Sequence, residues 1–179
     1  MSSHKTNNSF LKTKIYIRLK AIEDNKKYLI LNCFNGRNEI WGNIKNKNIT
    51  VHGLDILDYK NTVALIGNNI KTLPNLNLEK YNIIDLDAYG VPDKQLDIII
   101  DKCISGTIVF YTFIQSVLGR LPDNILLKNG YSKLMIDKCT SLFSKAGFDK
   151  FKNYLSTFGV TKTEYINHGR KYYGYFIIP

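Results

Sequence analysis

Short apolar runs, each stopped by a polar or glycine turn and followed by a segment of helical character, limit this chain's fold more than any other feature. Tyr28-Leu29-Ile30-Leu31-Asn32-Cys33-Phe34 ends at Asn35-Gly36, and Ile49-Thr50-Val51-His52-Gly53-Leu54-Asp55 ends on an acid. Tyr81 to Asp87 ends in Asp-x-Asp, and Gly106 to Phe113 is rich in β-branched and aromatic residues. A near-continuous apolar run suits a strand buried on both faces, which is the situation in a parallel sheet. A further short strand is expected near Ile70. Glu39 to Lys47, Asp58 to Gly67 and Asp93 to Cys103 read as the intervening helices. Phe10 to Ile22 reads as a basic amphipathic helix with Ser9 as its N-cap, and Ser132 to Gly147 and Phe148 to Phe158 as two more. Thr161 to Asn167 and Tyr172 to Ile178 alternate in polarity around His168-Gly169-Arg170-Lys171, the pattern of an antiparallel hairpin. Strands alternating with helices predict an α/β sheet with right-handed crossovers, mostly parallel and mixed where the hairpin joins it.

A chain of 179 residues is expected to form one domain, over 9–179, with 1–8 disordered. No apolar run approaches the roughly 20 residues of a membrane helix. The first residues lack the apolar core of a signal peptide, so a cytoplasmic protein without membrane contact is expected. Cys33, Cys103 and Cys139, like His4, His52 and His168, are scattered rather than spaced as ligands, and no metal is expected. The net charge of +10 is unevenly spread. Residues 1–27 carry seven Lys/Arg against two acids, 28–120 nine against nine, and 121–179 nine against four. Basic flanks around a neutral centre attract polyanions through phosphate contacts. Lys12, Lys14, Arg18, Arg170 and Lys171 are the candidate nucleic-acid contacts, a solvated face being the alternative.

In an open α/β sheet, ligands bind beyond the carboxyl ends of the strands. Gly36 permits close backbone approach at the first strand end, and a helix beginning there favours an anionic group. Asp55, about twenty residues on, can accept both hydroxyls of a ribose, or simply cap the next helix. Ile83-Ile84-Asp85-Leu86-Asp87-Ala88-Tyr89-Gly90-Val91-Pro92 then points two carboxylates beyond the sheet. Asp87 can accept hydrogens from an aromatic amine and so localise its lone pair, while Tyr89 can stack on a flat base. Asp85 shares its face with Asp87 and supports the loop or touches a cofactor.

The turn after the first strand, the acid after the second and the Asp-x-Asp-x-aromatic-Gly-x-Pro stretch, in that order, resemble class I S-adenosylmethionine-dependent methyltransferases. The last motif is similar to that of the tRNA guanine dimethyltransferases. The resemblance implies a Rossmann-like, mostly parallel seven-stranded sheet with helices on both faces and a C-terminal antiparallel hairpin. It also implies S-adenosylmethionine as cofactor, held by Asn32, Phe34, Asn35, Gly36, Asp55, Ile56 and Asp85. Asp87 and Tyr89 would act on an exocyclic amine of a nucleic-acid base, in RNA ahead of DNA, with a possible protein partner for target recognition. Asn32, Asn38 and Ala88 stand where the family commonly has an acid, a second glycine and a proline. Two alternatives remain open. One is a methyltransferase-like subunit without catalysis that binds nucleic acid or a partner. The other is a Mg²⁺-dependent phosphoryl-transfer or nuclease domain, using Asp85 and Asp87 with Asp55 or Glu39.

Overall fold

The apolar runs lie side by side in one seven-stranded sheet. The computed structural model describes residues 10–59, 64–115, 121–139 and 146–179. Its strands are β1 (Tyr28–Asn32), β2 (Ile49–Asp55), β3 (Ala64–Ile66), β4 (Ile83–Leu86), β5 (Ile108–Ile114), β6 (Glu164–His168) and β7 (Lys171–Ile177). Its helices are α1 (Leu11–Ala21), α2 (Glu39–Gly42), α3 (Asn69–Thr72), α4 (Asp93–Lys102), α5 (Asp123–Lys128), α6 (Lys133–Lys138) and α7 (Gly147–Ser156). The strand order is β3-β2-β1-β4-β5-β7-β6. β3, β2, β1, β4 and β5 are parallel, whereas β7 is antiparallel to both β5 and β6. This is the mixed α/β sheet that the sequence pattern predicts. The chain reverses its direction of winding between β1 and β4, and open α/β sheets bind ligands beyond the carboxyl ends of the strands at such a point.

Period-two alternation divides the core between the two faces. Leu31, Ile84, Leu86, Val109, Tyr111 and Phe113 pack with residues of α4, α5 and α7 such as Leu96, Leu126 and Phe151. On the other face Tyr28, Ile30, Ile83 and Phe110 pack with Trp41 and Ile44, partly covered by Ile15, Ala21 and Ile22. Asp85 and Asp87 continue the row begun by Ile83, so they face α1 rather than the larger core.

Several expectations are corrected. Residues 64–66, expected within a helix, form edge strand β3 paired to Gly53–Asp55. The strand expected near Ile70 is instead α3, because the Asn68 side chain accepts from the Ile70 amide and starts a helical turn. The helix expected over 39–47 is a single turn, Glu39–Gly42. Over 132–147 the described helix is Lys133–Lys138; residues 140–145 lie outside the described residues, as do the expected disorder of 1–8 and the Ser9 cap. Helix α5 has no counterpart in the sequence reading. No helix among the described residues is long and apolar enough to cross a membrane.

Candidate active site

The tips of β1 and β2 are tied together. Gly36, at φ 50°, donates its amide to Asp55 Oδ2 at 2.8 Å, and Asp55 Oδ1 accepts the Leu57 amide at 3.1 Å. The Asn35 amide donates to the Leu54 carbonyl at 3.2 Å, and Asn32 Nδ2 donates to Asn35 Oδ1 at 3.1 Å. The Asn35 side chain lies directly over Gly53, where an added Cβ would come within 2.6 Å of it. Asn32 and Asn35 are therefore buried parts of the turn, Phe34 is half-buried, and Ile56 is exposed beside Asp55. Asn69, after β3, donates through Nδ2 to the Cys33 carbonyl, and its Oδ1 is buried without a partner among the described residues.

The Asp-x-Asp of β4 meets two cations of α1. Arg18 grips Asp85 with Nε and Nη2, both at 2.7 Å, and Trp41 Nε1 donates to Asp85 Oδ2 at 2.6 Å. The remaining arm, Nη1, donates to the Lys14 carbonyl at 2.9 Å. Lys14 Nζ lies 2.6 Å from Asp87 Oδ2, and Thr112 Oγ1 donates to Asp87 Oδ1. The match is metric. Residues i and i+4 of a helix are about 6 Å apart along its axis, and residues i and i+2 of a strand about 6.6 Å. With Lys14 opposite Asp87 and Arg18 opposite Asp85, α1 runs antiparallel to β4. Burial acts to strip the Arg18 proton, but the field of Asp85, its hydrogen bonds and Asp87 beyond hold the guanidinium charged, its pKa raised. Tyr173, beside this pair with Lys14 Nζ 5.5 Å from its ring centre, has its phenol pushed up to about 12 by burial and by Asp87.

These contacts revise the site. Asp85 is fully buried and accepts three hydrogen bonds, so it holds α1 and α2 against β4. Lys14 and Arg18 are 7% and 2% exposed, which removes them from the phosphate-contacting face: these two cations of α1 turn inward, while Lys12, Tyr16, Leu19 and Lys20 face solvent. Asp85 and Asp87 are each paired with a basic side chain, which disfavours the Mg²⁺ reading. No cluster of three His, Cys, Asp or Glu fit for a metal occurs among the described residues. Tyr89 is 90% exposed on the turn after Asp87. Lys12 and Arg170 are exposed and Lys171 half-buried. The β6–β7 turn reaches the same edge, since Lys171 pairs with Ile114 at the end of β5 and the Gln115 amide donates to the Arg170 carbonyl. Phe10 stacks on His168 with ring centres 4.4 Å apart, bringing the start of α1 there too. Sequence reasoning missed Trp41, Asn69 and the Lys14–Asp87 pair. Only the last had a signal: cations four apart in a helix and acids two apart in a strand.

No family model matches the sequence, and no curated protein matches it either. Solved structures do match in fold. A SAM dependent methyltransferase from Archaeoglobus fulgidus superposes with a TM-score of 0.57 at 12% identity, over 92% of each chain. The CurJ carbon methyltransferase gives a TM-score of 0.59 at 10% identity over 93% of this chain, which spans 54% of that one. Pyrococcus horikoshii TYW2, in complex with MeSAdo, gives 0.53 at 13% identity over 98% of this chain and 64% of its own. At these identities the likeness is one of fold: the sheet is that of the Rossmann-like methyltransferases.

Proposed function

We propose that this chain is an S-adenosylmethionine-dependent methyltransferase acting on an exocyclic amine of a nucleic-acid base. The observation that carries the reading is the 2.8 Å contact between the Gly36 amide and Asp55. It ties the glycine turn after β1 to the acid that ends β2, and β1 lies directly beside β4, the strand that Asp87 follows. The cofactor fits the residues present. Each Asp55 oxygen keeps a lone pair for a ribose hydroxyl, exposed Ile56 offers an apolar wall, and Asn69 Oδ1, without a partner among the described residues, is an acceptor suited to an amino group. When bound, the cofactor supplies a methyl group that an amine lone pair takes as the carbon–sulfur electron pair returns to sulfur, the nitrogen then shedding a proton. Positioning is what this chain contributes. Asp87 accepts an amine hydrogen and holds the lone pair in line, and Thr112 fixes the carboxylate. Tyr89 offers a ring for stacking a base that is unpaired or flipped out. Lys12, Arg170 and Lys171 supply cations for flanking phosphates, in RNA ahead of DNA. Target recognition by a partner protein and a cytoplasmic site of action belong to this same reading.

Calorimetry with S-adenosylhomocysteine tests it. Micromolar affinity is expected, falling tenfold or more in Asp55→Ala, because a hydrogen bond to a charged group is worth about 1.5–3 kcal/mol. Asp87→Ala should retain that affinity and lose transfer. Absent cofactor binding with retained RNA binding would instead support the non-catalytic subunit, a reading favoured by the Lys14 and Thr112 contacts, which take one acceptor position on each Asp87 oxygen.

A further inference from the structure

We propose that Lys14 is a specificity-determining residue which, with Asp87, selects an acceptor base whose exocyclic amine lies beside an unprotonated ring nitrogen on its Watson–Crick edge, as in adenine and cytosine. The inference rests on the methyl-transfer reading above. Lys14 Nζ and Asp87 Oδ2 are 2.6 Å apart, and each side chain is 9% exposed at the strand-tip edge. The pair is therefore a donor beside an acceptor rather than a lone carboxylate. An ammonium has three N–H donors, of which Asp87 takes one, and each carboxylate oxygen has two acceptor positions. Both partners keep capacity after pairing with each other and with Thr112. A planar base stacked on Tyr89, two residues beyond Asp87, would present its edge to both groups. Asp87 then accepts the amine hydrogen and Lys14 donates to the adjacent ring nitrogen. Adenine and cytosine offer that donor–acceptor pair on one edge. Guanine sets its amine beside a ring N–H on the Watson–Crick edge, which Lys14 would oppose donor to donor, and beside unprotonated N3 only on the sugar edge, where the attached ribose crowds the approach. Uracil has no exocyclic amine.

The test uses the full chain with S-adenosylmethionine and short single-stranded RNAs rich in A, C, G or U. Products are digested and the methylated nucleosides identified by mass. The same labelled RNAs are titrated by fluorescence anisotropy without cofactor. A and C are expected to exceed G by about tenfold or more in both measurements, since a good base-edge pairing discriminates by about 1–3 kcal/mol. Lys14→Met should erase most of that preference and Lys14→Arg should keep it; a merely structural Lys14 would move neither. If Lys14→Met fails to fold, Lys14→Gln, a weaker neutral donor, should give an intermediate preference. Preferred methylation of guanine, or a preference untouched in Lys14→Met or Lys14→Gln, overturns the inference while leaving methyl transfer standing. Failure to bind S-adenosylhomocysteine or to methylate any of the RNAs overturns both.

Discussion

Arg18→Met provides the sharpest test of how this molecule is held together. Arg18 is 2% exposed and Asp85 fully buried, and two hydrogen bonds of 2.7 Å join them. Methionine fills much of the same space, so the loss falls on the carboxylate, left buried with Trp41 Nε1 as its remaining described partner. Stripping one member from a buried ion pair costs about 3–5 kcal/mol, because the other charge is uncompensated. For a chain of this size 1 kcal/mol moves the melting temperature by about 2–4 °C, so a fall of about 6–20 °C is expected. Circular dichroism melts measure it, and Trp41, the single tryptophan, reports the same transition by fluorescence from beside the lesion. Arg18→Met/Asp85→Asn, which removes both charges and leaves an amide oxygen for Trp41, should recover most of the loss. If the single variant melts within about 2 °C of wild type, or the double variant falls further than the single, the claim that α1 is docked through a buried charge pair is wrong.

Three further outcomes are expected. Gly53→Ala should displace the Asn35 side chain, costing about 1–3 kcal/mol by overpacking and weakening S-adenosylhomocysteine binding in calorimetry. Tyr89→Ala should lower single-stranded RNA affinity by about 5- to 150-fold, the equivalent of about 1–3 kcal/mol of stacking, and leave the melting temperature unchanged because the ring is 90% exposed. Asp93 has its pKa raised, chiefly by burial. Its stabilising contribution is thus fully present below the unfolded carboxylate range and is lost as pH rises through the raised value. Asp93→Asn should therefore be more stable than wild type at neutral pH, and urea titrations should show that advantage shrinking as the pH falls through the carboxylate range.

The β2 run, Ile49 to Asp55, was readable to the residue, and β1, β4, β5, α4 and the terminal hairpin nearly so, because runs buried on both faces and period-two alternation are local signals. β3 was misplaced by several residues, because a three-residue edge strand owes its existence to its pairing with β2 and carries little pattern of its own. The glycine turn and strand-end acid were likewise visible as types, and their 2.8 Å contact follows from adjacency of β1 and β2. What sequence could not supply was the destination of charge. Lys14 and Arg18 look like any solvated basic face until α1 crosses β4 antiparallel and the helix and strand spacings coincide. Local pattern is set by each residue's neighbours in the chain and so belongs to the sequence. Whether a cation faces water, a phosphate or a buried carboxylate depends on what the fold sets opposite it, and only the tertiary structure decides that.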